Sequence, residues 1–200
     1  PLDIIGVLRN YRTVATNRKV LGYIFTNAFS YSGMFCFLTS GSLVYTGVYG
    51  VAPKNFGYFF ILNIGVMMIA TFLGGRFVGR LGTERILRIG LWIQLIMGIY
   101  LAFCAFFHWG LWPSAIGVAL YVGMVSIVSS NANAAVLELF PHTAGTANSL
   151  IGMFRFAIGA IIGAILALFS VETEQPMLFA ITLCILISVG MYKGLVKSKR

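Results

Sequence analysis

Arg155 is the only charged residue in a run of helical length from Gly145 to Phe169. For a helix starting near Gly145, a rise of ~1.5 Å per residue puts Arg155 about 15 Å in, close to the midplane of a hydrocarbon core ~30 Å thick. A guanidinium at that depth costs about 2.5–3.5 kcal/mol on insertion scales, so it should face protein or water rather than lipid. Two roles suit it. One is a structural pair with a carboxylate or with carbonyls of a neighbouring helix; the other is a charge in a substrate or ion pathway. Asn148, Gly152, Arg155, Gly159 and Gly163 recur at 4-3-4-4 spacing and make one small, polar face, suited to a cavity or to close helix contact. Ile151, Phe154, Ile158, Ile161 and Ile165 make a bulky opposite face, expected to meet lipid.

Other polar residues recur at helical spacing. Tyr23, Asn27, Ser30, Tyr31, Met34, Leu38, Ser42 and Tyr45 form a stripe that is expected to face the bundle interior, since its polar members are expensive against lipid. Ser126, Ser129, Ser130, Asn131 and Asn133 form a second cluster, suited to a wet cavity or to packing on a Gly-rich neighbour. Aromatics, Met and a few hydroxyls suit bulky, partly apolar ligands. The expected ligand contacts beside Arg155 are Tyr23, Asn27, Tyr31, Met34, Ser126, Ser130 and Asn133. Asn63 is a single amide, expected in a helix–helix hydrogen bond, and Gln94 is the one polar exception in an otherwise apolar stretch. All five acids, Asp3, Glu84, Glu138, Glu172 and Glu174, lie at or beyond the ends of apolar runs. Cys36, Cys104 and Cys184 fall in separate apolar runs without CxxC spacing and read as packing residues, so neither a metal nor a cofactor is expected. An intramembrane protease is disfavoured: Gly41-Ser42 is the nearest to a nucleophile, while His108 and His142 fall in loops on opposite sides.

The elements that must position these groups follow from composition. The 200 residues are 59% hydrophobic and 10% charged, against about 25% charged in soluble domains, which indicates an all-α polytopic membrane protein. Six spans are expected, at about 20–45, 56–78, 86–107, 114–137, 145–169 and 177–195, between a polar 1–19 segment and a basic 196–200 tail. Their short connections predict that sequential helices are antiparallel neighbours. The third span, nearly all apolar, is expected at the periphery, and the sixth facing lipid. Arg9, Arg12, Arg18, Lys19, Arg76, Arg80, Arg85, Arg88, Lys193, Lys197, Lys199 and Arg200 all fall on one side, with Lys54 alone opposite. By the positive-inside tendency both ends are cytoplasmic. That asymmetry accounts for the net charge of +9 without nucleic acid. The start at Pro1, without Met, suggests a piece of a longer protein; a self-contained six-span channel or homodimeric half-transporter is the less favoured alternative.

Two motifs carry a family resemblance. The stretch GGRFVGRLGTERIL resembles the cytoplasmic loop motif of the major facilitator superfamily, with Gly75, Arg80, Gly82 and Arg85 in place. Gly79 stands where that pattern has Asp and Glu84 where a basic residue is usual, a departure typical of the motif's second copy. FPHTAGTANSLIGMFRFAIGA, together with Gly33-Met34-Phe35, Ser40-Gly41-Ser42, Val44-Tyr45 and Gly50-Val51-Ala52-Pro53, is similar to the Bcr/CflA drug-resistance subfamily. The resemblance covers nearly the whole chain as helices seven to twelve of a twelve-helix fold, its C-terminal half. It implies drug:proton antiport in a bacterial inner membrane by alternating access, with H+ as coupling ion and a drug-like substrate. It further implies that the proton-carrying carboxylates lie in an N-terminal half, and that spans one, two, four and five line the cavity. A carrier of the same superfamily for a sugar, amino acid or peptide is the alternative reading.

Overall fold

The computed structural model describes residues 11–169 and 172–197, so the expectations for Asp3, Arg9, Lys199 and Arg200 lie outside the described residues. Six long helices follow a helical turn at 11–16: α1 Arg18–Leu43, α2 Pro53–Leu81, α3 Thr83–Phe107, α4 Leu111–Leu139, α5 Ala144–Ala167 and α6 Gln175–Met191. Asn17 caps α1 by accepting from the backbone N–H groups of Lys19 and Val20. Pro53 and Pro176 sit in the first turns of α2 and α6, where a missing N–H costs least.

Five helical segments are long and apolar enough to cross a membrane: α2 to α5, and α6 with the turns that extend it to Val196. The exception is α1, whose 26 residues reach about 39 Å. Length is not what sets it apart. Thr26, Asn27, Ser30, Ser32 and Ser40 lower its hydropathy, and all five are buried, because α1 packs against α4, α5 and α6 at once.

The packing corrects the expectation that sequential helices are neighbours. Apart from α3 with α4, the extensive contacts are non-sequential: α1 with α5, α6 and α4; α2 with α4; and α3 with α6. Exchanging α1, α2, α3 for α4, α5, α6 maps this pattern onto itself. Each helix and its counterpart are three chain reversals apart, an odd number, so the two halves of the chain are three-helix repeats of inverted orientation. The short connections turn the chain around; the repeat symmetry chooses its partners.

Two further expectations are corrected. The third span is not peripheral along its whole length: Gln94 of α3 is fully buried, accepting from Ser30 Oγ at 2.8 Å and donating Nε2 to the Tyr121 carbonyl at 3.4 Å. It therefore ties α1, α3 and α4 together. The sixth span is not chiefly lipid-facing either. Thr182 donates to the Gly98 carbonyl at 2.7 Å, Ser188 to the Thr26 carbonyl at 2.7 Å, and Leu178, Ile181 and Ile185 are fully buried. An apolar sequence cannot distinguish these fates, because apolar residues suit both lipid and a helix interface. Gln94→Leu removes both amide bonds and is expected to cost ~1–2 kcal/mol, read as a lower thermal midpoint of the purified full-length protein.

The loop motif is mostly helix. Gly75 and Arg80 lie within α2 and Arg85 within α3, and the link between the two helices is Gly82 alone. Its φ of +80° lies where a side chain is disfavoured, so the chain reverses in one residue. At this end Arg18 Nη2 donates to the Gly194 carbonyl at 3.0 Å, Tyr192 Oη donates to Glu84 at 3.2 Å and Thr83 donates to Glu138 at 3.1 Å. The start of α1, the α2–α3 link, the end of α4 and the end of α6 therefore meet at one basic end. At the opposite end His108 pairs with Glu174 at 2.8 Å, and Tyr49 donates to Ser114 at 2.9 Å.

A corner of α1, α4 and α5 around Arg155

Arg155 lies midway along the 24-residue α5. Its guanidinium carbon is 4.7 Å from the ring centroid of Tyr31 on α1 and 4.8 Å from that of Phe156 on α5. The two rings are 6.2 Å apart at 77°, so they form a corner around the cation rather than a sandwich. Phe35, one turn beyond Tyr31, closes on Phe156 at 6.3 Å. From α4, Ser129 Oγ accepts from Arg155 Nη1 at 3.5 Å, a long bond, while Nε is buried without a partner.

The charge accounting is uneven. Cation–π contacts are worth ~0.5–2 kcal/mol each, which offsets part of an insertion cost of about 2.5–3.5 kcal/mol. Among the described residues the one ion pair is His108–Glu174, at the end of the bundle remote from the basic residues. Glu84 and Glu138 are engaged at the basic end, and Glu172 is exposed beyond α5. Among the described residues Arg155 thus has no carboxylate within salt-bridge distance, and it is only partly buried.

The small face of α5 divides in two. Gly159 and Gly163 are buried against α1, where an added Cβ would lie 2.6 Å from Phe35 and 2.8 Å from Thr39. Asn148 is exposed, and an added Cβ at Gly152 would meet open space. On the bulky face Ile161 and Ile165 are exposed as expected, but Ile151 is 3% exposed and Phe154 packs on Phe25 at 5.2 Å. The lipid assignment of Ile151 and Phe154 is therefore corrected: α5 leans on α1 along its length, so the apolar residues nearest the crossing are drawn in.

The remaining expected contacts scatter around this corner. Asn27, 1% exposed, donates Nδ2 to Asn133 Oδ1 at 2.8 Å and so joins α1 to α4. Met34 is half-buried on α1, and Ser126 accepts from Thr71 of α2 at 2.9 Å while donating to the Gly123 carbonyl. Ser130 is exposed, donating to the Ile127 carbonyl and accepting from Asn131. Tyr23 belongs elsewhere. It is 2% exposed, lies 6.5 Å from the Tyr192 ring at a tilt of 52° and lines a cleft of about 310 Å³ at the basic end with Lys19, Glu84 and Glu138. Leu38 and Ser42 are exposed, against the expectation that the whole α1 stripe points inward. His108 is held by Glu174 and Gln175 rather than beside a serine, and the His142 side chain lies outside the described residues.

Three contributors to the corner were not among the ligand contacts expected from sequence: Phe35, Phe156 and Ser129, the last named there only as a member of the polar cluster on α4. Ser126, Ser129 and Asn133 share one helical stripe, and Tyr31 and Phe35 are one turn apart. That periodicity marks them as face-sharing, but nothing in it indicates which face meets Arg155.

The sequence profile of the Major Facilitator Superfamily matches residues 3–164. Over 192 residues the chain is 48% identical to a bicyclomycin resistance protein homolog of Haemophilus influenzae, covering 96% of this chain and 48% of that protein. It is 26% identical over 177 residues to an uncharacterized MFS-type transporter, YdgK, of Bacillus subtilis, covering 88% of this chain and 44% of that one. The chain thus spans about half the length of the curated relatives it matches. No solved structure matches it significantly.

Proposed function

The chain belongs to the Major Facilitator Superfamily, and on that premise we propose that it is the C-terminal six-helix half of a drug exporter of the bicyclomycin-resistance type. The family is one of multi-pass membrane transporters, not enzymes. On this reading the protein resides in a bacterial inner membrane with both ends of this segment cytoplasmic, as the basic end of the bundle favours. An N-terminal half completes the cavity, and the two halves rock about a midplane site in alternating access.

One observation carries the reading: Arg155, at mid-helix, is only partly buried and has no carboxylate partner among the described residues of its own bundle. A cation is costly to keep at that depth without a use. Arg155 supplies positive potential to the cavity and pairs with a carboxylate of the other half, or with an anionic group of the substrate. Protonation of that carboxylate weakens the pairing and biases the inward–outward equilibrium, which couples export to the proton gradient. Tyr31, Phe35 and Phe156 supply the adaptable apolar wall, and Asn27, Asn133 and Ser129 the few fixed polar groups.

The test is efflux from cells expressing the full-length protein, with bicyclomycin and a lipophilic cation as probes, before and after collapse of the proton gradient. Gradient-dependent export of either compound supports the proposal. If well-expressed protein exports neither, the substrate is another small solute such as a sugar, amino acid or peptide.

A further inference from the structure

Where α3 and α6 meet at the basic end, a small crevice is lined by Arg88, Leu91, Trp92, Val189, Tyr192, Lys193 and Lys197. Arg88 is half-buried in the second turn of α3, while Lys193 and Lys197 are exposed in the turns that continue α6. Lys193 Nζ sits 5.1 Å from the Trp92 ring centroid. None of the three cations has a carboxylate within 4 Å among the described residues. The acid closest in sequence to Arg88, Glu84, accepts from Tyr192 Oη at 3.2 Å. Tyr192 is 3% exposed and Trp92 is 48% exposed, and an exposed indole at a helix end is of the kind that collects at a membrane surface.

Below the cations the surface becomes apolar. Ile96 and Ile99 of α3, one and two turns beyond Trp92, are exposed, as is Leu186 of α6, two turns before Lys193, so the faces that carry the crevice continue as an apolar strip toward the middle of the helices. Cations at the rim and an apolar strip beneath them are the two ends of one molecule: a phosphate-bearing headgroup at the surface and acyl chains below it. Soluble phosphate satisfies only the first.

We propose that this crevice is a binding site for a phospholipid of net negative headgroup charge, phosphatidylglycerol-like, in the leaflet at the basic end. The headgroup lies among Arg88, Lys193 and Lys197, the Trp92 indole sits at the glycerol level, and an acyl chain lies along Ile96, Ile99 and Leu186. Bound there, the lipid clamps the end of α6 to the start of α3. The site is independent of the Arg155 corner and of what the protein transports.

The test uses purified full-length protein in a mild detergent, titrated with phosphatidylglycerol or with phosphatidylcholine of the same chains. Because three basic side chains are drawn to an anionic headgroup, phosphatidylglycerol is expected to raise the thermal midpoint at a concentration at least about tenfold lower than phosphatidylcholine requires. The preference should shrink in high salt and vanish in the triple variant Arg88→Gln, Lys193→Gln, Lys197→Gln. Equal potency of the two lipids, or a preference that survives the triple variant, overturns the proposal. A second readout needs no charge variant. Shallow spin-labelled phosphatidylglycerol should quench the fluorescence component lost in Trp92→Phe more strongly than spin-labelled phosphatidylcholine does, and equal quenching likewise overturns the site.

Discussion

Arg155→Ala in the full-length protein is expected to lower gradient-driven efflux by about 10–100-fold while leaving the amount of folded protein near normal. The magnitude follows from removing one charge-assisted interaction, worth ~1.5–3 kcal/mol, from the state that binds substrate or proton. Folding should be spared because the guanidinium holds little together. Its protein bonds are one long contact to Ser129 and two ring contacts, and its Nε has no partner. Truncation also relieves an insertion cost of about 2.5–3.5 kcal/mol. Arg155→Lys keeps the charge and loses the planar fork, so it should retain part of the activity and its pH dependence. Efflux and pH dependence unchanged in Arg155→Ala would falsify the pathway role and leave Arg155 as a structural residue.

Gly33→Ala is expected to have the opposite profile, lost fold rather than lost chemistry. A Cβ at Gly33 would lie 2.2 Å from Tyr121 Oη and 2.6 Å from two of its ring carbons. The ring cannot step aside easily, since Tyr121 is fully buried and donates to the Ser30 carbonyl at 3.1 Å. Helix α1 must therefore move away from α4, or Tyr121 must leave its pocket. Overpacking of ~1–3 kcal/mol combined with a lost hydrogen bond of about 1 kcal/mol sets the expected destabilisation near 3 kcal/mol. Thermal midpoints of the purified full-length protein read it directly. Gly65→Ala serves as the control: it adds the same methyl group to α2 where nothing lies within 4 Å, so stability should hold or rise slightly. Equal midpoints for the two variants would mean that the α1–α4 crossing is looser than Gly33 and Tyr121 imply.

The fold class was legible in the sequence because it depends on amounts. A chain this apolar, with its few acids confined to segment ends, can hide its backbone in a membrane as helices. The mid-helix position of Arg155 was legible for a similar reason, since distance from a helix start is a one-dimensional quantity. So was the collection of basic residues at one end, at least for those the structure describes.

Partnership was not legible. Gln94 read as an isolated amide in a peripheral span, yet it joins three helices; Tyr23 read as a ligand contact, yet it belongs to the charged end. The sixth span had no signal for its inward face beyond Thr182 and Ser188, both of which prove to bridge helices. Periodicity states which residues share a face, and hydropathy states what a face can tolerate. Neither states which helix lies opposite.

By itself the sequence determined an all-helical membrane bundle, a cation at mid-depth in its fifth long helix, and polar stripes on the first and fourth. Only the tertiary structure decided that those stripes converge on Arg155 through Tyr31 and Ser129, that no carboxylate of the described bundle reaches it, and that the α3–α6 crevice collects three cations. The physical reason is the inverted-repeat packing: helices distant along the chain become neighbours, so the contacts that make a site are those that local pattern does not encode.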